Sequence, residues 1–181
     1  MSEKVQKIHD KERENPCGKL VTTVNFLLEK FVGGQIFFTE LDKVVKGDFE
    51  ILSSLIDATL KKWGEEKPLL VASGEVGISL ENFKFPVDIL VPGGLRFEPK
   101  KINLAPFKKQ IEGKKVVFVD DSYFSGRTVE VVKEAVESLG GIFLGAYVVY
   151  DGAKEKNPEV FSLYRYYDYH DEEGNPLGDR T

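Results

Sequence analysis

Residues 116–128, Val-Val-Phe-Val-Asp-Asp-Ser-Tyr-Phe-Ser-Gly-Arg-Thr, constrain the fold of this chain more than any other segment. The first four residues are apolar, which is typical of a parallel strand covered on both faces. Asp120 and Asp121 follow where this strand is predicted to end, and a short loop containing Gly126 leads into a predicted helix. Ligands of open α/β sheets bind at the carboxyl ends of strands, and helix N-termini offer N–H groups to phosphate. The segment therefore predicts a site for a phosphorylated sugar, in which the carboxylates bind sugar hydroxyls or a hydrated metal ion.

This order of strand, acid pair, four-residue spacer and Gly-x-Thr loop resembles the 5-phosphoribosyl-1-diphosphate (PRPP) motif of the type I phosphoribosyltransferases. The resemblance covers about residues 20–150 and is strongest over 116–141. It implies that Asp120 and Asp121 are catalytic residues that contact the ribose hydroxyls and hold Mg2+, directly or through water. It also implies a loop around the 5′-phosphate of PRPP, formed by Ser122, Tyr123, Phe124, Ser125, Gly126, Arg127 and Thr128.

The same resemblance implies two further parts of a PRPP site. The pyrophosphate of PRPP needs a second anion-binding loop, which is predicted behind an earlier strand at Ser73, Gly74, Glu75 and Val76. A mobile loop is predicted from residue 95, hinged at Gly93-Gly94. Such a loop would exclude water and place cations near the departing diphosphate. The catalytic cations predicted in it are Arg96, Lys100 and Lys101.

The acceptor base is predicted to bind at the end of a later strand, against Tyr150 and Asp151. In the hypoxanthine–guanine branch of the family, the position of Phe124 carries an aspartate that transfers a proton to the purine. Its absence disfavours a 6-oxopurine. The helix containing residues 27–30 is similar to the start of the orotate branch, although the fuller orotate signature is absent after Thr39. We therefore expect a pyrimidine-like or small heterocyclic base.

Strands and helices alternate from residue 69 to residue 150, which predicts a parallel sheet flanked by helices. The predicted helices include one after Asp48, with an apolar face at Leu52, Leu55, Ile56, Thr59 and Trp63 and Gly64 at its C′ position. The predicted strands are 35–41, 69–72, 87–91, 116–119, 143–150 and 160–169. We expect a single domain, 1–181, with a polar leader (1–15), a polar tail (171–181) and a small hood built from the terminal regions.

Composition narrows the class of protein. A hydrophobic fraction of 41% suits a globular chain, and no segment approaches the roughly 20 apolar residues that span a bilayer. The charged residues 1–15 do not form a secretory signal, and the single cysteine excludes an internal disulfide. Both features favour a cytoplasmic protein with no membrane partner.

Charge points to a small anionic ligand. The formal net charge of −5 disfavours a nucleic-acid partner. Residues 96–115 nevertheless contain seven basic residues against two acidic ones, which suits a polyanionic substrate. The partners expected are PRPP and a nucleobase or related heterocycle, and a homodimer is expected from the family.

Three alternatives remain open at this point. An acid pair at a strand end is, by itself, usually a helix cap or a solvated turn. Phe124, Arg127 and Glu75 depart from the usual catalytic pattern, so a non-catalytic regulator that senses PRPP or a nucleotide also fits. A flavodoxin-like scaffold or phosphatase fits less well, because an Asp-x-Asp nucleophile motif does not follow Val119.

Overall fold

The computed structural model describes residues 49–72, 74–92, 102–168 and 171. Its helices are α1 (Phe49–Trp63), α2 (Gly74–Phe83), α3 (Lys108–Ile111) and α4 (Arg127–Ser138). Its strands are β1 (Leu69–Ala72), β2 (Ile89–Leu90), β3 (Lys115–Tyr123), β4 (Ile142–Asp151) and β5 (Val160–Arg165). Short 3-10 turns occupy Gly64–Glu66, Ala105–Phe107 and Tyr166–Asp168.

Several predictions fall outside these residues. They concern the polar leader, the elements before Asp48, the hinge at Gly93-Gly94, and nearly all of the polar tail. The hood, which would be built from the terminal regions, is therefore not tested. In the part of the chain that the structure describes, no helix is long and apolar enough to cross a membrane.

The described strands form a five-stranded sheet in the order β2-β1-β3-β4-β5, and every neighbouring pair is parallel. β3 lies at the centre, with Phe118 opposite Val71 of β1 on one side and Ala146 of β4 on the other. Parallel strands require crossover connections. Helices lie in the connections between β1 and β2, β2 and β3, and β3 and β4, whereas residues 152–159 join β4 to β5 without a helix. The predicted parallel sheet flanked by helices is confirmed.

Alternate residues of β3 point into two cores, one on each face of the sheet. Val117 and Val119 belong to the core that α1 and α2 cover. Val116 and Phe118 belong to the core on the opposite face, with α3 and α4. All four side chains are fully buried. This burial on both faces explains why the strand is continuously apolar in sequence.

The helix α1 has the predicted apolar face, but its end differs from the prediction. The residues predicted for the face are all buried: Leu52, Leu55, Ile56, Thr59 and Trp63. Gly64 is not a left-handed cap, because the chain continues into a 3-10 turn. The left-handed residue is Lys67, with φ of 48°, and its N–H donates to the carbonyl of Gly64. The α-helix therefore ends directly before Gly64, as predicted, but the left-handed residue lies three positions later, at Lys67.

The ends of two strands also differ from the prediction. β2 contains only Ile89–Leu90 of the predicted 87–91. β5 ends at Arg165 rather than at residue 169, because Tyr166–Asp168 turns into a 3-10 helix. Both are edge strands of the described sheet, where pairing on one side alone fixes the strand ends.

A bulge in β4 depends on Gly145. Val116 lies opposite Phe143 while Val117 lies opposite Gly145, so β4 has one extra residue at this point. Gly145 has φ of +145°, and a Cβ there would lie 2.6 Å from the carbonyl oxygen of Glu159 and 3.1 Å from the Trp63 ring. Because glycine has no Cβ, the start of β5 and the end of α1 can approach β4 closely.

Gly145→Ala should therefore destabilise the protein more than Gly113→Ala. Gly113 also has a positive φ, of 70°, but no atom lies within 4 Å of its added Cβ. We expect backbone strain alone to cost about 1 kcal/mol at Gly113, and strain plus the clash to cost about 2 kcal/mol or more at Gly145. Urea denaturation of the two variants measures the difference. Equal losses would show that β5 moves away at no cost.

Candidate functional site

The acid pair lies inside β3 and not at its end. β1 stops at Ala72, opposite Val119, whereas β3 stays paired with β4 until Tyr123 lies opposite Asp151. The predicted strand end at residue 119 is therefore wrong on the β4 side. On the β1 side, Asp120 is the first residue of β3 beyond the paired segment. The acid pair thus lies at the carboxyl edge of the sheet, where ligands of this architecture bind.

The two carboxylates have different surroundings. Asp120 is buried, and its Oδ1 accepts a hydrogen bond from the N–H of Asp121 at 3.0 Å. Asp121 is half-buried, and its Oδ1 accepts from the hydroxyl of Ser122 at 3.0 Å. Both side chains are held by neighbouring polar groups of β3, which orients them for a ligand.

Hard carboxylate oxygens are suitable ligands for Mg2+. Among the described residues, no group of three or more His, Cys, Asp or Glu side chains could enclose a metal ion. Mg2+ commonly keeps several waters and binds one or two carboxylates together with substrate phosphate oxygens. Asp120 and Asp121 fit that mode, in which the substrate completes the coordination.

A tight turn joins β3 to α4 and ends at Gly126. Gly126 has φ of 76°, a left-handed conformation that glycine adopts without steric cost. The N–H of Glu130 donates to the carbonyl of Gly126 at 3.0 Å and closes the first turn of α4. In the described part of the chain, no side chain caps this helix start. The N–H groups of the first turn are therefore oriented to bind an anion.

The side chains of the predicted phosphate loop (residues 122–128) divide into two groups. Ser125 and Arg127 are exposed, and Thr128 is half-buried. Tyr123 is buried in the core that contains α4. Phe124 packs on Tyr150 with ring centroids 5.5 Å apart. Residues 122–128 thus run from the end of β3 through a short turn into the start of α4, and the side chains of Tyr123 and Phe124 are directed into the protein.

The predicted pyrophosphate loop is largely helical. Ser73 lies outside the described residues, and Gly74 and Val76 already belong to α2, as does Glu75 in its backbone. Gly77 lets the start of α2 pack closely against Val91 and the end of β1. A Cβ at this position would lie 2.7 Å from Val91 and 3.2 Å from the carbonyl oxygen of Ala72. The expectation of a loop over residues 74–77 is wrong. A helix N-terminus occupies the position instead, at the same edge of the sheet as the acid pair.

Tyr150 and Asp151, predicted to bind the base, both make contacts within the protein. Tyr150 is buried and stacks on Tyr164 with ring centroids 5.7 Å apart, and burial raises the pKa of its hydroxyl well above the usual value. Asp151 Oδ2 lies 3.2 Å from Arg165 Nε, and its Oδ1 accepts from the N–H of Ala153 at 2.9 Å. Base recognition by these two residues stays a prediction.

Arg165 is a residue that sequence analysis missed. Besides its ion pair with Asp151, it donates from Nη2 to the carbonyls of Ala153 and Lys154, at 3.1 and 3.2 Å. It also donates from Nη1 to Asp168 at 3.3 Å. Arg165 therefore joins the carboxyl ends of β4 and β5. An arginine at the end of an aromatic strand gave no signal of this role.

The catalytic cations predicted in the mobile loop are Arg96, Lys100 and Lys101. All three lie outside the described residues. Their role stays a prediction.

Replacing Arg165 should lower the free energy of unfolding. The Arg165 and Asp151 side chains are only 12% and 4% exposed, so Arg165→Met leaves a buried carboxylate without its counter-charge. We expect a loss of about 3 kcal/mol at pH 7. Lys115→Gln is the control, because the Lys115–Glu66 pair is 44% and 43% exposed and should change stability by less than about 1 kcal/mol. Urea denaturation measures both, and equal small losses would contradict the expectation.

The loss of stability caused by Arg165→Met should also depend on pH. Burial raises the pKa of Asp151, although the Ala153 N–H and Arg165 oppose the shift. The Asp151 carboxyl of the folded protein therefore binds a proton more readily than the same group in the unfolded chain. As the pH falls and this group is protonated, its burial disfavours folding less. The gap between wild type and Arg165→Met should narrow between neutral pH and the unfolded pKa of about 3.9. A gap that stays constant over this range would contradict the assignment to Asp151.

Comparisons with known proteins give structural likenesses at low identity. No family model matches the chain, and no curated protein matches it. A hypoxanthine-guanine phosphoribosyltransferase from Bacillus anthracis is similar at 16% identity, with 68% of this chain and 78% of that chain covered and a TM-score of 0.45. An adenine phosphoribosyltransferase from Rhodothermus marinus is similar at 17% identity, with 67% and 82% covered and a TM-score of 0.44. A purine phosphoribosyltransferase from Pyrococcus horikoshii is similar at 20% identity, with 64% and 82% covered and a TM-score of 0.41. At these identities and TM-scores, the function has to be inferred from the chain's own residues.

Proposed function

We propose that this protein is a Mg2+-dependent phosphoribosyltransferase that transfers the 5-phosphoribosyl group of PRPP to a nitrogenous base and releases pyrophosphate. The observation that carries the proposal is the combination of Asp120 and Asp121 in β3 with the Gly126 turn at the start of α4. Carboxylates suit sugar hydroxyls and Mg2+, and helix-start N–H groups suit a phosphate. PRPP carries both the hydroxyls and the phosphate groups on one ribose.

Each element has a distinct task in this proposal. Asp120 and Asp121 bind the ribose hydroxyls and, through substrate and water, Mg2+. The N–H groups of the first turn of α4 bind the 5′-phosphate, and the N-terminus of α2 binds the pyrophosphate. Ribose held at both ends presents its C1′ to the base in a fixed orientation, which lowers the entropic part of the barrier.

The bond exchange takes place at the ribose C1′. The bond from C1′ to the diphosphate oxygen breaks while the bond from C1′ to a ring nitrogen of the base forms, and the proton on that nitrogen goes to the released diphosphate or to water. Negative charge grows on the departing diphosphate, so donors and cations near it stabilise the transition state. Mg2+, when bound, would supply part of the compensating positive charge. The predicted mobile-loop cations Arg96, Lys100 and Lys101 supply the rest and exclude water.

Asp120→Asn combined with Asp121→Asn should lower kcat/KM for PRPP at least about a hundredfold, because the ribose loses its orienting contacts. Asp57→Asn, an exposed change on α1, is the matched control and should retain wild-type turnover. Initial rates of pyrophosphate release and far-UV circular dichroism are measured for each variant. A folded double variant with normal turnover would show that the acid pair is structural.

A panel of free bases tests the acceptor. Pyrophosphate release is measured with PRPP, Mg2+ and uracil, orotate, adenine, hypoxanthine or guanine in turn. We expect a pyrimidine-like or small heterocyclic base to react, because Phe124 replaces the acid used with 6-oxopurines. Robust use of hypoxanthine or guanine would contradict the argument from Phe124. PRPP binding without turnover of any base would favour a regulator that senses PRPP.

A further inference from the structure

The Tyr123 side chain lies beneath the turn that is proposed to bind phosphate. A Cβ built on Gly126 would lie 2.9 Å from the Tyr123 hydroxyl and 3.4 Å from the ring. Tyr123 itself is buried, so its hydroxyl cannot move away into solvent. The hydroxyl therefore fills the space under Gly126 and limits the conformations open to the turn.

Asn157, 34 residues away in the chain, holds that hydroxyl. Its Nδ2 donates to the Tyr123 hydroxyl at 3.1 Å. Its Oδ1 accepts from the N–H of Glu159 at 2.9 Å, which forms a local turn of the Asx type. This second bond fixes the orientation of the amide, so that the NH2 group and not the oxygen faces Tyr123.

The turn that carries Asn157 is itself anchored. The Glu159 carboxylate binds Lys133 of α4, with both oxygens 2.8 Å from Nζ. The carbonyl of Glu159 accepts from the N–H of Ala146 in β4 at 2.8 Å. The loop between β4 and β5 (residues 152–159, here the supporting loop) is thus fixed to the sheet and to the helix that begins at the phosphate turn.

The supporting loop makes a second contact with the phosphate loop. The N–H of Gly152 donates to the carbonyl of Tyr123 at 2.9 Å. A Cβ on Gly152 would lie only 2.3 Å from the Phe124 ring, so the two loops pack without space for a side chain between them. Tyr123 is therefore held through both its backbone and its hydroxyl.

We infer that Tyr123 and Asn157 are positioning residues that fix the Gly126 turn in its phosphate-binding conformation. The inference rests on the proposed function, since it assigns this turn the phosphate of PRPP. It also changes the role expected for Tyr123, which supports the loop from beneath and does not touch the ligand. A preorganised turn binds phosphate more tightly, because ordering costs nothing at the moment of binding.

The test uses isosteric removal of the contact. Tyr123→Phe keeps the buried ring and deletes the hydroxyl. Asn157→Ser keeps a hydroxyl that can hold the local turn but is too short to reach Tyr123. The double variant shows whether the two residues act through one bond. Tyr147→Phe is the control, since it removes a hydroxyl from β4 while retaining the ring contacts with Trp63 and Phe161.

Two measurements are made on the full-length protein. The first is amide hydrogen exchange of residues 124–128, which needs no substrate. The second is the KM for PRPP and the kcat, with Mg2+ and the best base. Either single variant should speed exchange and raise KM about twofold to tenfold, the size expected for one neutral hydrogen bond, with kcat nearly unchanged. The double variant should be no worse than the more affected single variant, and Tyr147→Phe should match wild type.

The outcomes separate this inference from the proposed function. Wild-type exchange and KM in both single variants, with an active wild-type enzyme, would overturn the positioning role and leave the proposed function intact. Additive effects in the double variant would also overturn it. An inactive wild-type protein would refute the proposed function. In that case faster exchange at residues 124–128 still supports the positioning of the turn, and unchanged exchange overturns it.

Discussion

The pairing of β3 with β4 beyond the end of β1 is the constraint on which the candidate site depends. β3 stays in register with β4 until Tyr123 lies opposite Asp151, while β1 ends at Ala72. The acid pair is therefore held within a strand, at a point where β1 has already stopped. A strand that ended at Val119 would place both carboxylates on a loop, where their orientation would depend on the ligand alone.

Most of the fold could be predicted from local sequence patterns, because burial on one or two faces determines residue type. The apolar face of α1 and the continuous apolar run of β3 are examples. Element ends were less predictable. Glycine is a common helix stop, yet the left-handed residue after α1 is Lys67 and not Gly64. Residues 74–77 include two glycines, yet they are helical. For α2, the helical start depends on the close packing of Gly77 against Val91 and the carbonyl of Ala72, a contact that the local sequence does not indicate.

The candidate site could be predicted as a motif but not as a set of contacts. Asp120, Asp121 and the Gly126 turn follow from adjacent residues, although the acid pair lies inside β3 and not after its end. The bond between Tyr123 and Asn157 and the ion pair between Asp151 and Arg165 join residues that are distant in sequence. The Asn-Pro dipeptide at 157–158 indicates a turn, but nothing local indicates what that turn touches.

The acidic side chains at the carboxyl edge of the sheet differ in the groups that they contact. Asp151 faces a guanidinium at 3.2 Å and a backbone N–H, so its charge is balanced within the protein. The Asp120 carboxylate accepts a hydrogen bond from the Asp121 N–H, and the Asp121 carboxylate accepts one from the Ser122 hydroxyl, so that neighbouring groups of β3 orient both side chains. Asp151 and Arg165 instead stabilise the supporting loop, which in turn holds the phosphate loop. The site proposed in β3 and the buried charge at the end of β4 are thus connected, because an internal ion pair supports the loop that holds the turn proposed to bind phosphate.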